Sequence, residues 1–366
     1  MSGQPTADQP AAGQPSSDQP DLRAVLDRLL EGQHLAQAEA AQLLTALTAS
    51  DLAPALAGAL LAALRAKGVT ADELRGFAGA MRALARQPVL PAMSDAVDIV
   101  GTGGDRSGSL NLSTGAALLA AACGLAVVKH GNRSISSRAG SADVLQALGL
   151  PLPLDESAAG RCFAELNFTF LFAPYYHAAA RIIAPVRAAL GVRTVFNILG
   201  PLCNPAAPPY LVVGAFDLGT AQLMANALQG SGVRRAFVVH GAAGWDEPTP
   251  IGPFTLFDVG ATTVRREQRS PSDYGLPLCE PTALQGADAD FNARELARTL
   301  RGEARDAHRD ALLLGAALAL ELTGREASPR LAVARAAQAI DSGAAGQLLQ
   351  RLQRFGAHEK RCQAPT

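Results

Sequence analysis

Residues 96–114 read AVDIVGTGGDRSGSLNLST, and residues 125–143 repeat the same design as LAVVKHGNRSISSRAGSAD. Each opens on a short apolar run expected as a buried strand, Ala96–Val100 in the first and Leu125–Val128 in the second. Each then passes through a Gly-rich turn into a helix-like stretch. Such a turn lets backbone N–H groups converge on an anion, and the helix N-terminus adds the positive end of its dipole. Ser109, Asn111, Ser113, Thr114, Ser134, Ser136, Ser137 and Ser141 supply further donors, and Lys129 and Arg133 supply cations. Two loops of this kind in succession point to a ligand carrying several phosphates.

Outward from these loops, short β-branched runs alternate with Ala/Leu-rich helices, the pattern of a parallel α/β sheet. Further strands are expected at Phe168–Leu171, Leu211–Ala215, Ala236–Val239 and Phe254–Asp258. Tyr175–Leu190 and Val195–Leu199 interrupt the alternation with helical sequence. Ahead of the sheet the pattern is helical: an apolar stripe from Leu22 to Leu30, then helices near Ala36–Leu47, Ala53–Ala66 and Ala71–Ala85. Thr70 and Glu73 form a capping box for the last of these, and Gly68 marks the break before it. The fold class is therefore α/β, with a small all-α N-terminal domain and a large α/β domain built on a mostly parallel sheet. Residues 1–20 repeat a Gln-Pro unit that has nothing to bury, and read as a disordered tail.

With 366 residues, 48% hydrophobic and 18% charged, the chain supports a sizeable core. A formal net charge of −1 argues against a protein that holds nucleic acid by bulk electrostatics. No stretch is long and apolar enough to span a bilayer, and the start has no secretory h-region, so a cytoplasmic location is expected. The five cysteines are scattered without a C-x-x-C pair, and read as reduced, small hydrophobes.

GTGGD, NLST, KHGNRS and GSAD resemble the phosphoribosyl diphosphate site of the anthranilate phosphoribosyltransferase family. The likeness continues through FLFAP (170–174), PVRAALGVRTVFNILGPLCNP (185–205), VVHGAAGWDE (238–247) and AIDSG (339–343). It implies a fold of the nucleoside phosphorylase and phosphoribosyltransferase type. Its helical domain (21–90) is joined by inserted helices at about 175–200. The α/β domain that binds phosphoribosyl diphosphate comprises 91–174 and 201–356, and 357–366 form a flexible C-terminus. It also implies transfer of 5-phosphoribosyl from 5-phosphoribosyl 1-diphosphate to anthranilate in tryptophan biosynthesis, two Mg²⁺ ions per monomer, and a homodimer through the helical domain. α-Helical sequence around Leu56, Leu60, Leu61 and Leu64, apolar on more than one side, is in keeping with a second packing partner.

Carried over residue by residue, the resemblance assigns phosphoribosyl diphosphate to Gly101, Gly104, Asp105, Ser109, Asn111, Leu112, Ser113, Thr114, Lys129, His130, Gly131, Asn132, Arg133, Ser134, Ile135, Ser136, Ser137 and Ser141. It assigns anthranilate to Gly101, His130, Asn132, His177 and Arg187, and metal to Ser113, Asp246 and Glu247. No side chain is assigned as a proton-transfer catalyst; Lys129 and Arg133 act electrostatically.

The residues themselves bear on these roles. Only three lysines, Lys67, Lys129 and Lys360, occur among 32 Lys and Arg residues, so a Lys at the end of a buried strand stands out. A compact ammonium suits a diphosphate in a narrow loop; the plainer reading is a snorkelling strand-end charge. Asp246 and Glu247 are hard oxygen ligands in a Gly-flanked turn, suited to Mg²⁺ beside a diphosphate, or else a solvated acidic turn. Arg187 offers a fork for a carboxylate, or is an exposed helix cation. Asn132 can accept from an aromatic amine, or is a turn residue beside Gly131. For His177, an aromatic wall and a direct contact are both open.

Several positions depart from the family pattern. HAAA (177–180) replaces HPAM, Arg106 stands for Gly, Leu110 for Phe and Gly315 for Asn, and Pro248 follows the acidic pair. Two rival readings remain. A pyrimidine nucleoside phosphorylase would need no acidic metal pair, and a non-catalytic nucleic-acid-binding relative would need a basic face.

Overall fold

The structure, a computed structural model, describes residues 20–133 and 138–363. All but Pro20 of the Gln-Pro tail lies outside the described residues, as do Ser134, Ile135, Ser136 and Ser137.

Among the described residues four helices come first: α1 (Leu22–Leu30), α2 (Gln37–Leu47), α3 (Pro54–Lys67) and α4 (Ala71–Ala83). Asp21 caps α1 by accepting the N–H groups of Arg23 and Ala24. Pro54 opens α3 in the first turn, where its missing N–H leaves no bond unmade. At α4 the capping box is reciprocal: Glu73 N–H donates to Thr70 Oγ1 at 3.2 Å, and Thr70 N–H to Glu73 Oε2 at 2.8 Å. Glu73 does more than cap. Its fully buried carboxylate also accepts from Leu35 N–H at 2.8 Å and pairs with Lys67 Nζ at 2.9 Å.

Leu60, Leu61 and Leu64 of α3 are buried within this one chain. α3 packs against α1 and against the helix Ala180–Leu190, where Gly58 faces Val186 and Leu190. The second partner expected from its apolar faces is thus the inserted segment, and those leucines carry no argument for a second chain.

Among the described residues the sheet has seven strands: β1 (Val97–Gly101), β2 (Val127–Gly131), β3 (Phe168–Phe172), β4 (Tyr210–Gly214), β5 (Arg235–His240), β6 (Phe254–Val259) and β7 (Val264–Arg269). Their order is β3-β2-β1-β4-β5-β6-β7. The first five are parallel; β6 and β7 join antiparallel. β7, VRREQR, has no apolar alternation to reveal it. It is a charged edge strand, of the kind that discourages edge-to-edge pairing.

β1 has β2 on one side and β4 on the other. Chain connections therefore diverge at β1, leaving a crevice beyond its carboxyl end, the usual ligand position in open α/β sheets. One sheet face is covered by α5 (Leu112–Ala122) and the C-terminal helices. The other shares a continuous core with the helical unit, in which Leu43 and Phe77 join Val213 and Met224. On the first face, α5 and the helix Ala307–Leu322 cross closely. A Cβ on Gly315 would stand 2.7 Å from that of Ala116, leaving no room for the family's Asn.

The C-terminus departs from expectation. The last helix runs Ala344–Gln363 without loosening at 357. Glu359 is buried and pairs with Arg161 at 2.9 Å, which anchors the final turns.

Candidate active site

Glycines at strand ends make the floor of the site. Gly101 ends β1 and Gly214 ends β4, side by side in register. The loop after β5 lies directly on both. A Cβ on Gly101 would be 2.4 Å from Asp246 Oδ2, and one on Gly214 would be 1.5 Å from the Asp246 carbonyl oxygen. At Gly241 it would meet the Glu247 carbonyl oxygen at 2.1 Å. Only glycine lets this acidic loop come so close to the strands.

Asp246 Oδ2 accepts the Gly103 N–H at 2.6 Å, and Asp246 N–H donates to Asp105 Oδ2 at 3.3 Å. Glu247 Oε1 accepts the Ser113 N–H at 2.8 Å, in the first turn of α5. Three carboxylates, Asp105, Asp246 and Glu247, are thus drawn together around one loop and one helix start. Burial pushes Asp246 well above the usual carboxylate range, and the charges of Glu247 and Asp105 push it further. Burial likewise raises Glu247 to about 7. Acids so disposed are stabilised by a cation. Among the described residues no three His, Cys, Asp or Glu side chains form a ready-made metal cage. An open set of hard oxygens suits Mg²⁺, which keeps waters and takes phosphate oxygens of the substrate.

Lys129, on β2, is 2% exposed. Its Nζ donates to the Ile99 carbonyl and lies 3.4 Å from Ser113 Oγ. Burial lowers its pKa, and the charges of Asp98, Glu247 and Asp246 oppose that shift. The ammonium therefore sits between the two Gly-rich loops, beside the acidic pair and away from solvent.

The first loop is knit by its own side chains. Asp105 Oδ1 accepts the N–H and the hydroxyl of Ser107, whose Oγ is 3.2 Å from Ser109 Oγ. Gly103, Gly104, Arg106 and Gly108 all have positive φ. Arg106, at 60°, occupies a conformation that glycine adopts without steric cost. Asn111 ties the loops together: its amide donates to Ala139 O at 3.1 Å, and its Oδ1 accepts from Asn292 at 2.9 Å. Leu110 and Leu112 are core residues. Thr114 is also buried, with no partner for its hydroxyl among the described residues.

In the second loop Gly131 leaves room for Ser141, whose Oγ donates to Asn132 O at 3.2 Å. Asn132 is exposed, and its Oδ1 accepts the Arg133 N–H at 2.7 Å. Arg133 is engaged within the protein: its guanidinium pairs with Asp143 at 2.6 Å, bonds Gln146 and stands over Phe172. The pairing leaves other N–H groups of this guanidinium, 48% exposed, for an anion.

His130 and His177 are buried and meet edge-on, with ring centroids 5.0 Å apart. His130 Nδ1 lies 3.2 Å from Gly200 O. Burial lowers His130 to about 3 and His177 to about 4, so both are neutral at pH 7. Arg187, on the helix Ala180–Leu190, stacks 5.0 Å over Phe196. Burial lowers its pKa, and it has no ion pair among the described residues. No hydrogen bond or ion pair between described residues joins Arg187 to the Lys129–Asp246 cluster.

Three further residues belong to this neighbourhood. Asp98, fully buried on β1, accepts from His130 N–H at 3.3 Å and from Asn204 at 2.9 Å, and burial raises it to about 6. Asn204 also donates to Val128 O at 2.8 Å. An acid inside the apolar run AVDIV is itself a legible signal, since unpaired carboxylates are rarely buried. Arg193 donates to the Gly104 carbonyl and stands 3.9 Å over the Phe216 ring. It lies inside the PVRAALGVRTVFNILGPLCNP stretch (185–205), where the sequence assigns it no role.

The comparisons with known proteins give the family of the chain. Residues 93–346 match the α/β domain of a glycosyl transferase family, and residues 23–85 match the helical bundle domain of that family. The anthranilate phosphoribosyltransferase of Bradyrhizobium diazoefficiens is 42% identical over 332 residues, 91% of this chain and 98% of that protein. That of Methylobacterium nodulans is 45% identical over 327 residues, 89% of this chain and 96% of that protein. Among solved structures, the anthranilate phosphoribosyltransferase of Thermus thermophilus superposes with a TM-score of 0.85 at 42% identity, covering 91% of this chain and 99% of that one. The Saccharomyces cerevisiae enzyme in complex with PRPP and Mg gives 0.83 at 26% identity, covering 92% and 98%.

Proposed function

The chain belongs to the anthranilate phosphoribosyltransferase family and transfers 5-phosphoribosyl to anthranilate, with release of diphosphate; we propose that the residues around the β1 crevice divide that work between two subsites. The observation that carries this division is the convergence of Asp105, Asp246 and Glu247 on the Gly-rich loop beside the buried Lys129 ammonium.

In the first subsite, backbone N–H groups of the two loops, with Ser109, Ser113 and Ser141, bind the diphosphate and the 5-phosphate. Ser113, Asp246 and Glu247 would hold Mg²⁺, which neutralises charge on the diphosphate as it leaves; two ions per monomer is the stoichiometry we propose. Lys129 adds a fixed positive charge in a dry site. That charge is worth most where leaving-group charge grows. The ribosyl carbon becomes cationic as the C1–O bond breaks, and the amine of anthranilate attacks it.

In the second subsite, Arg187 binds the anthranilate carboxylate. A half-buried guanidinium without a counter-ion among the described residues is suited to an anionic ligand. Asn132 accepts from the amine, and the neutral pair His130–His177 lines the ring pocket. An aromatic amine is already uncharged at neutral pH, so no strong base is required. Holding two substrates in one cleft supplies much of the rate.

The domain limits 21–90, with 175–200, against 91–174 and 201–356 remain our reading, as does a homodimer through the helical unit. No helix of the described residues is long and apolar enough to cross a membrane, and we place the protein in the cytoplasm.

Loss of anthranilate fluorescence with phosphoribosyl diphosphate tests the residue assignment. EDTA should abolish turnover and Mg²⁺ should restore it. The double variant Asp246→Ala, Glu247→Ala should stay folded and lose most activity at every Mg²⁺ concentration. Full turnover of that variant without divalent metal would refute the metal assignment.

A further inference from the structure

Gly103 and Gly104 have φ of 68° and 76° in succession. They carry no side chain with which to hold that shape, and glycine has the widest backbone freedom to lose. Two charged groups outside the loop fix it instead. From the α/β side, the Asp246 carboxylate accepts the Gly103 N–H at 2.6 Å. From the inserted segment, the Arg193 guanidinium donates to the Gly104 carbonyl.

Arg193 is itself fixed on two further sides. Its own carbonyl accepts from Arg65 of α3, which ties it to the helical unit. Its guanidinium plane stands 3.9 Å over Phe216, just past β4. Phe216 N–H donates to Thr102 Oγ1 at 3.2 Å, inside the same Gly-rich loop. Helical unit, inserted segment, the end of β4 and phosphate loop thus meet at one residue, the first through its main-chain carbonyl and the others through its guanidinium.

In a trans peptide the carbonyl and the N–H point in opposite directions. Holding Gly104 O toward Arg193 therefore turns the Asp105 N–H away from it. We propose that Arg193 is a positioning residue for phosphoribosyl diphosphate: it holds the Gly104–Asp105 peptide in the orientation that presents the Asp105 N–H to a phosphate, and it couples that orientation to the seating of the helical unit. The inference rests on the reading of Gly101–Thr114 as the phosphoribosyl diphosphate loop.

The test is steady-state kinetics of the full chain with Mg²⁺, each substrate varied in turn, beside thermal melting. Arg193 is exposed, so its replacement should leave the melting temperature nearly unchanged. Arg193→Ala removes one charge-assisted bond and should raise the phosphoribosyl diphosphate KM about ten-fold, with the anthranilate KM within about two-fold. Arg193→Lys keeps a cationic donor within reach of Gly104 and should recover part of the loss. Arg193→Met covers Phe216 without donating and should behave as the alanine variant does.

A phosphoribosyl diphosphate KM within about two-fold of the parent in Arg193→Ala would overturn the proposal. So would recovery by methionine equal to that by lysine, which would assign the effect to packing on Phe216. Gly103→Val, at a positive φ, keeps the two readings apart. If it leaves the phosphoribosyl diphosphate KM unchanged, the loop reading itself fails. If it raises that KM while Arg193→Ala does not, the Arg193 role alone is wrong.

Discussion

Gly214 ends β4 directly beneath the carbonyl oxygen of Asp246, at a spacing that would leave an added Cβ only 1.5 Å away. The acidic loop thus has its height above the sheet set by the missing side chain. Gly214→Ala should lift Asp246 and Glu247 off the strand ends. Such overpacking costs roughly 1–3 kcal/mol. We expect a lower melting temperature and, on the proposed metal assignment, a Mg²⁺ requirement raised about ten-fold or more, because that assignment has the loop place the ligands. Activity titrated against Mg²⁺ checks this; an unchanged half-saturating concentration would show that the loop height does not matter.

Arg187 and Lys129 should separate by substrate. Loss of a charge-assisted contact is worth roughly 1.5–3 kcal/mol. Arg187→Ala should therefore raise the anthranilate KM about ten-fold or more and barely move that of phosphoribosyl diphosphate. Lys129→Ala should do the reverse and lower kcat, because the leaving charge grows in the transition state. Equal shifts for both substrates in Arg187→Ala would point to hinge damage instead.

The buried histidines predict an acid limb in stability. His177 is held at about 4 and His130 at about 3, against an ordinary 6.5. Below pH 6.5 the unfolded chain takes up protons that the folded protein does not. The stability these two histidines contribute is therefore complete above that pH and is lost as pH falls toward 4 for His177 and toward 3 for His130. The loss from His177 reaches roughly 3 kcal/mol at the low end. Melting temperature against pH should fall less steeply for His177→Phe than for the parent, and parallel curves would show that His177 is not the source.

Arg106 sits at a φ of 60° inside the first loop. A left-handed conformation costs a side-chain-bearing residue roughly 1–2 kcal/mol, part of which glycine returns as greater freedom in the unfolded chain. Arg106→Gly should raise the melting temperature slightly and leave the phosphoribosyl diphosphate KM no worse. A clear drop in melting temperature would mean that the arginine side chain contributes more than its backbone strain costs.

Much of this protein was legible locally. Six of the seven strands announced themselves as short apolar runs, because a strand buried on both faces needs apolar residues throughout. Thr70 and Glu73 marked the start of α4 because a cap is a contact between near neighbours. The first Gly-rich loop stood out because left-handed backbone at Gly103, Gly104 and Gly108 selects glycine, and the second because Gly131 stands where a side chain would run into Ser141 and Phe170. β7 stayed hidden because a charged edge strand is defined by the partner it pairs with, and the role of Arg193, though it lies within the 185–205 stretch, because a guanidinium bonding a carbonyl 89 residues away leaves no local pattern. The apolar faces of α3 were visible, but not whether another chain or the helix Ala180–Leu190 would cover them.

Local sequence thus determined which segments become strands, helices and anion-binding turns, because backbone preference and burial period act over a few residues. Tertiary structure alone decided that Asp246 rests on Gly101 and Gly214, that Arg133 is taken up by Asp143, and that the last helix runs on through a buried Glu359. Each of these depends on which distant groups share one small volume, and close packing and paired charge are settled only when the chain has folded.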